Sequence, residues 1–337
     1  MLDNVKSSNI LRTIFGCIRN KKKLKIIRLN KRIKKRLNIE KEDYEIYELI
    51  KTYNLLYHLN IEDIYIKELN LEKKYIGNRG LEELSKSKFN KLNKLNLTGN
   101  FISDINILEK FNFKELKSLN LRYNDISDIN VLEKVNFKQL TTLILRDNKI
   151  SDISVLKKVN FKELITLNLR YNEISDISIL EKVNFTKLKE LNLSENNISN
   201  INVLKKVSFN ELNILILSSN EISDISVLEK VNFKKLKILN LRYNEISDIS
   251  ILEKVNFQEL NKLDLSDNNI SEINVFEKVN FKKLQKLNLE SNNISDISIF
   301  NKVKFKDLKE LKLNCNPGTY YPSHSSGGFP NDLEYID

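Results

Sequence analysis

Residues 164–185 read LITLNLRYNEISDISILEKVNF, and the chain is built from copies of this stretch. Shifting it by 24 residues in either direction recovers it, with copies beginning at Leu92, Leu116, Leu140, Leu164, Leu188, Leu212, Leu236, Leu260, Leu284 and Leu308. The segment LNLRYNEISDISILEKVNF recurs unchanged at Leu167–Phe185 and Leu239–Phe257. A fixed period of this length marks a solenoid, in which each unit buries its apolar face only against its neighbours.

Within a copy the pattern is L-x-x-L-x-L-x-x-N-x-I-S-D-I-x-x-L-x-x-V-x-F. Leu167 and Leu169 alternate with Thr166, Asn168 and Arg170, the period of a short strand with one buried face. Stacked copies predict a parallel sheet along a concave face. An asparagine closes every strand, at Asn100, Asn124, Asn148, Asn172, Asn196, Asn220, Asn244, Asn268, Asn292 and Asn316. A buried amide must have its hydrogen bonds met, so the backbone of the adjacent turns is the expected partner, giving a structural ladder.

The return path carries Ile174, Ile177, Ile179, Leu180, Val183 and Phe185. Ser178 followed by Glu181 has the spacing of a capping box, predicting a short helix over Ile179–Val183 on the convex side. Asp176 and its equivalents precede that helix, where turn and helix-start chemistry accounts for them. No glycine or proline lies between Asn100 and Asn316, so no internal domain boundary is expected.

The ten copies resemble the leucine-rich repeat family over Leu92–Asn316. The segment N-x-I-S-D-I, as in Asn172–Ile177, further resembles the subclass of bacterial internalins and of regulatory subunits of protein phosphatase 1. The resemblance implies an α/β leucine-rich-repeat solenoid, with a parallel concave sheet, convex helices, and protein binding on the concave face.

The flanks differ from the array. Residues 1–60 carry a net +9 of the chain's +11. Residues 1–39 read as a basic helical unit, and NILRTIFGCIRNKKKLKIIRLNKRIKKRL resembles the F-box through Leu11, Ile14, Phe15, Ile18, Leu24, Ile27 and Asn30-Lys31. That resemblance implies docking of a Skp1-like subunit by Leu11, Ile14, Phe15 and Ile18, and a substrate-recognition adaptor of a ubiquitin ligase. A stand-alone scaffold or phosphatase-type regulatory subunit is the alternative. KRIKKR at Lys31–Arg36 also resembles a nuclear localisation signal or nucleic-acid patch. No aromatic residue is interleaved there for base stacking, which favours a solvated helix face. Residues 40–65 predict a helical lead-in, with Tyr47, Ile50, Leu55, Leu56 and Leu59 covering the first repeat. Residues 66–91 read as an atypical capping repeat in which Lys74 replaces the asparagine. Residues 317–337 form a turn-rich tail holding all three prolines.

Chemistry is not expected. The histidines His58 and His324 lie outside the regular copies, Cys17 and Cys315 sit far apart, and neither a metal-ligand spacing nor a phosphate loop appears. We therefore expect no enzyme, cofactor or metal. No apolar run reaches the length of a membrane span. The N-terminus has no secretory pattern, which predicts an intracellular, cytoplasmic protein, with the nucleus open through the basic run.

The variation lies on the expected concave face. The column of Arg170 reads Thr98, Arg122, Arg146, Arg170, Ser194, Ser218, Arg242, Ser266, Glu290, Asn314; its neighbour includes Tyr123, Asp147, Tyr171 and Tyr243. Arginine and tyrosine are enriched at interface hot spots, so Arg122, Tyr123, Arg146, Asp147, Arg170, Tyr171, Arg242 and Tyr243 are the candidate partner-binding residues. Side by side on strands about 4.8 Å apart, Arg122, Arg146 and Arg170 are expected to repel one another and to favour an acidic partner.

Overall fold

A three-residue strand cannot stand alone, but repetition gives every strand except the two at the ends a neighbour on both sides. The computed structural model describes residues 50–319, apart from 60, 62–64, 88 and 304. The basic unit 1–39, with Leu11, Ile14, Phe15 and Ile18, lies outside the described residues. So do most of the lead-in and residues 320–337 of the tail. Strands β1 (Glu68–Asn70), β2 (Lys94–Asn96), β3 (Ser118–Asn120), β4 (Thr142–Ile144), β5 (Thr166–Asn168), β6 (Glu190–Asn192), β7 (Ile214–Ile216), β8 (Ile238–Asn240), β9 (Lys262–Asp264), β10 (Lys286–Asn288) and β11 (Glu310–Lys312) form one 11-stranded sheet in sequence order. Every pairing is parallel and in the register of the repeat, as in Leu143↔Leu167 and Leu167↔Leu191. A one-residue slip would turn every leucine to solvent, so burial holds this register.

The core is a single stack. Leu164, Leu167, Leu169, Ile174, Ile177, Leu180 and Phe185 and their equivalents are buried through the array up to its C-terminal end, where Ile297, Phe305, Leu308 and Leu311 are only partly buried. The convex segment departs from expectation. It is a 3-10 helix, Ser178–Lys182 in this repeat, and Ser178 makes no side-chain capping bond. The reason lies in the spacing I-x-x-L-x-x-V. Ile177, Leu180 and Val183 are all buried, and a period of three matches 3.0 residues per turn. The cap comes from two residues earlier: Asp176 Oδ1 accepts the Ser178 N–H at 2.7 Å. Glu181, freed from a capping box, meets Lys206 of the next repeat at 2.8 Å.

The first unit differs from the rest. After β1 its return path is an α-helix, Gly77–Ser85, with Leu81 and Leu84 buried. Residues 50–56 are helical and lay Ile50 and Tyr53 on this end, with the Tyr53 ring 5.9 Å from that of Phe89. Burial drives the Tyr53 hydroxyl pKa upward, with Tyr57 and Glu83 adding to the shift. Leu55 and Leu56, expected as part of the cover, are exposed at 71% and 61%. Ile50 and Tyr53 lie three apart on the buried side of the helix, and Leu55 and Leu56 fall on the other.

Candidate interaction face

Three features of the repeat position the side chains of the sheet's open face. The first is the buried asparagine. Asn172 Nδ2 donates to the carbonyls of Leu145 at 3.1 Å and Leu169 at 3.0 Å, and its Oδ1 accepts the Ile150 N–H at 3.0 Å. The same bonds recur at Asn148 and Asn196, so each amide ties its own turn to the preceding repeat. At the first repeat, Asn100 Oδ1 accepts from the backbone of Lys74 and Ile76, which needs no asparagine at Lys74.

The second feature was not read from the sequence. The residue before each buried asparagine is left-handed: φ is 53° at Tyr123, 55° at Asp147 and Tyr171, 54° at Glu195 and Ser219, and 52° at Tyr243. In the first repeat this place is Gly99, at φ 67°. L-residues pay about 1–2 kcal/mol for this conformation, so packing and the buried amide must hold it. The turn thrusts Tyr123, Tyr171 and Tyr243 outward, leaving each at least half exposed.

The third is a second set of asparagines, on the strands themselves. Asn120, Asn168, Asn192, Asn240 and Asn288 accept through Oδ1 the N–H two residues on, as Asn168 does from Arg170 at 3.0 Å. These Asx turns orient the arginine column. Ile144 and Ile216 take this place in two repeats and have no acceptor to offer.

The expected repulsion within the arginine column is not what forms. Each arginine reaches an acid of the adjacent column. Arg122 Nε donates to Asp147 at 3.2 Å, Arg242 Nε to Asp267 at 2.7 Å, and Arg170 Nε to Glu195 at 2.8 Å. The strand offset sets each of these contacts at i to i+25. Burial lowers the pKa of Arg122, but its bonds to Tyr123 and Asp147 outweigh this and raise it, and the same balance holds at Arg242 with Asp267 and Tyr243. Both guanidiniums also lie over tyrosine rings, Arg122 4.3 Å from the centroid of Tyr123 and Arg242 4.7 Å from that of Tyr243. Arg146 differs, because the residue 25 positions on is Tyr171. Its Nε approaches Asp147, already bound by Arg122, to 2.8 Å, yet makes no hydrogen bond.

Among the described residues no group of three His, Cys, Asp or Glu is placed to hold a metal, and no helix is long and apolar enough to cross a membrane. A hollow of about 240 Å³ lies on the open face of β1–β4, lined by Asn70, Asn96, Asn120 and Ile144 among others.

Leucine-rich-repeat family models match residues 114–158 and 162–206 as paired repeats, and 234–251 and 282–299 as single repeats. Among solved structures, the chain is similar to the internalin InlF of Listeria monocytogenes strain 4b F2365. Identity is 30% over 80% of this chain and 82% of that one, with a TM-score of 0.59. It is also similar to the leucine-rich-repeat protein LIC12759 of Leptospira interrogans, at 25% identity over 70% of this chain and 63% of that one, with a TM-score of 0.55. The functional domain of InlJ of Listeria monocytogenes shares the fold at 20% identity, over 75% of this chain and 55% of that one, with a TM-score of 0.51. No curated protein sequence matches. The repeat models, the internalin likeness and one parallel sheet with an asparagine at the turn of each of the ten copies agree: this chain belongs to the leucine-rich repeat family.

Proposed function

We propose that this chain is a protein-recognition module that holds its partner on the open face of the sheet, through Arg122, Tyr123, Arg146, Asp147, Arg170, Tyr171, Arg242 and Tyr243. The observation that supports this reading is a division of labour within the repeat. Core positions are nearly invariant from copy to copy, while the open face carries arginines, acids and three tyrosines that are at least half exposed. Tyrosine brings contact area at low entropic cost, and a paired arginine is pre-oriented for recognition. Replacing Tyr123, Tyr171 and Tyr243 together by serine, a residue the array already holds at Ser219, is expected to keep the fold and to abolish partner capture by affinity purification. Undiminished capture by a folded triple variant refutes the reading.

The adaptor role is carried by the sequence of residues 1–39 alone. In it, Leu11, Ile14, Phe15 and Ile18 dock a Skp1-like subunit inside the cell while the array selects a substrate. Direct binding of full-length chain to Skp1, lost on deletion of 1–39, is the expected result. Full-length chain that ignores Skp1 leaves the scaffold reading.

A further inference from the structure

Three arginines of the open face have an acid 25 residues on, and Arg146 has Tyr171 there instead. Arg122 and Arg146 therefore share the single carboxylate of Asp147, and the cluster keeps one uncompensated positive charge. The Arg146 Nε lies 2.8 Å from Asp147 Oδ2 but is not aligned for a hydrogen bond, and the side chain stays 23% exposed, so the surplus charge is open to an incoming anion. Ile144, the last residue of β4 and two residues before Arg146, is aliphatic and partly covered.

A second break in the polar open face lies further along the array. Ile214 and Ile238 are paired directly across β7 and β8, and Ile216 stands two residues from Ile214 on the same side. All three are only partly covered. Serine, threonine, asparagine, lysine and glutamate fill most equivalent places in the other repeats, so this aliphatic triangle is not demanded by the fold. Between the two breaks lie Asn168 and Asn192. Their Oδ1 atoms are occupied by the N–H groups of Arg170 and Ser194, which leaves the Nδ2 donors for an incoming main chain.

We infer that the open face takes an extended peptide segment, placing a carboxylate on Arg146 and an aliphatic side chain on Ile214, Ile216 and Ile238. This rests on the open-face reading above and gives its partner a chemistry. Arg146 and Ile216 are three strand spacings apart across the sheet and offset by two residues along the strand, about 16 Å in all, the span of about five extended residues. The segment therefore carries an aspartate or glutamate four or five positions from a leucine, isoleucine or valine. Electrostatic pairing at Arg146 sets register, and the isoleucines supply the apolar burial.

The test selects a phage-displayed random 12-residue peptide library on the full-length chain and measures binding of the enriched peptides by fluorescence anisotropy. Enrichment of the acidic–aliphatic spacing is expected. Arg146→Ser should weaken binding by about tenfold or more, as loss of a close ion pair does. Tyr171→Glu supplies the missing acid from within the chain, so it should weaken binding equally while leaving the fold at least as stable. Ile214→Ser with Ile216→Ser should also weaken it, and Lys157→Ser on the convex side should not. No enriched spacing, no binders, or binding that ignores both Arg146→Ser and Tyr171→Glu overturns the inference. If binding then still falls in the tyrosine triple variant, the open-face reading stands without this peptide; if it ignores that variant too, both fall. A single-stranded oligonucleotide that binds through Arg146 in place of peptides also overturns it.

Discussion

Replacing Asn172 by alanine removes every bond its side chain makes, and the structure shows which of them matter. Its Nδ2 donates to the carbonyls of Leu145 and Leu169, but Leu145 O also accepts from Asn148 and Leu169 O from Asn196. Both carbonyls keep one donor. The Ile150 N–H has no such reserve: Asn172 Oδ1 is its acceptor, and Ile150 is fully buried. One orphaned buried N–H costs about 1–3 kcal/mol. Taking about 2 kcal/mol, local opening around the third and fourth repeats becomes about 30-fold more frequent. Amide hydrogen exchange resolves this where a melt of the whole array averages it. The Ile150 amide should lose protection by about that factor, while the Ile246 amide, held by Asn268 several repeats away, should stay unchanged, because a solenoid transmits only nearest-neighbour coupling. Asn172→Asp should be worse than alanine, since it sets a second carboxylate oxygen against the two carbonyls where the amide donated. Unaltered protection at Ile150 in the alanine variant, or equal loss at Ile150 and Ile246, would refute the reasoning.

Replacing Arg122, Arg146 and Arg170 together by serine leaves Asp147, only 10% exposed, without a cation, so the variant should lose about 1–2 kcal/mol; a higher melting temperature would show that arginine repulsion dominates after all. Asp176, Asp224, Asp248 and Asp296 have depressed pKa values because each accepts a backbone or hydroxyl hydrogen from the serine two residues on. Their contribution is therefore present above the ordinary aspartate range and lost as pH falls through the lowered folded values. The fourfold asparagine variant should flatten this acid limb in a pH series of melts, since Asn200 already makes the same bond to Asn202 at 2.9 Å; an unchanged limb counts against the caps. Ser219→Gly should be neutral or stabilising by up to about 1 kcal/mol and Ser219→Val destabilising, because φ there is 54°; denaturant titration in which valine equals glycine removes the strain argument.

The solenoid is legible in the sequence because every repeat solves the same local problem. Leu167 and Leu169 alternate with polar residues, Asn172 recurs at each turn, and a period held over ten copies leaves one way to bury them all. The 3-10 segment was legible too, in the spacing of Ile177, Leu180 and Val183, although the Ser178–Glu181 pair points toward a capping box. The state of the arginines depended on tertiary structure. Arg122 and Asp147 are neighbours only because the parallel register and the left-handed turn at Asp147 swing its carboxylate toward the preceding repeat. Read as separate columns, these residues predict three repelling cations. Read 25 residues apart, they predict three ion pairs and one arginine, Arg146, left sharing its carboxylate. Burial follows from a periodic pattern along the chain, whereas the pairing of surface charges depends on the offset between stacked repeats, which exists only once they are stacked.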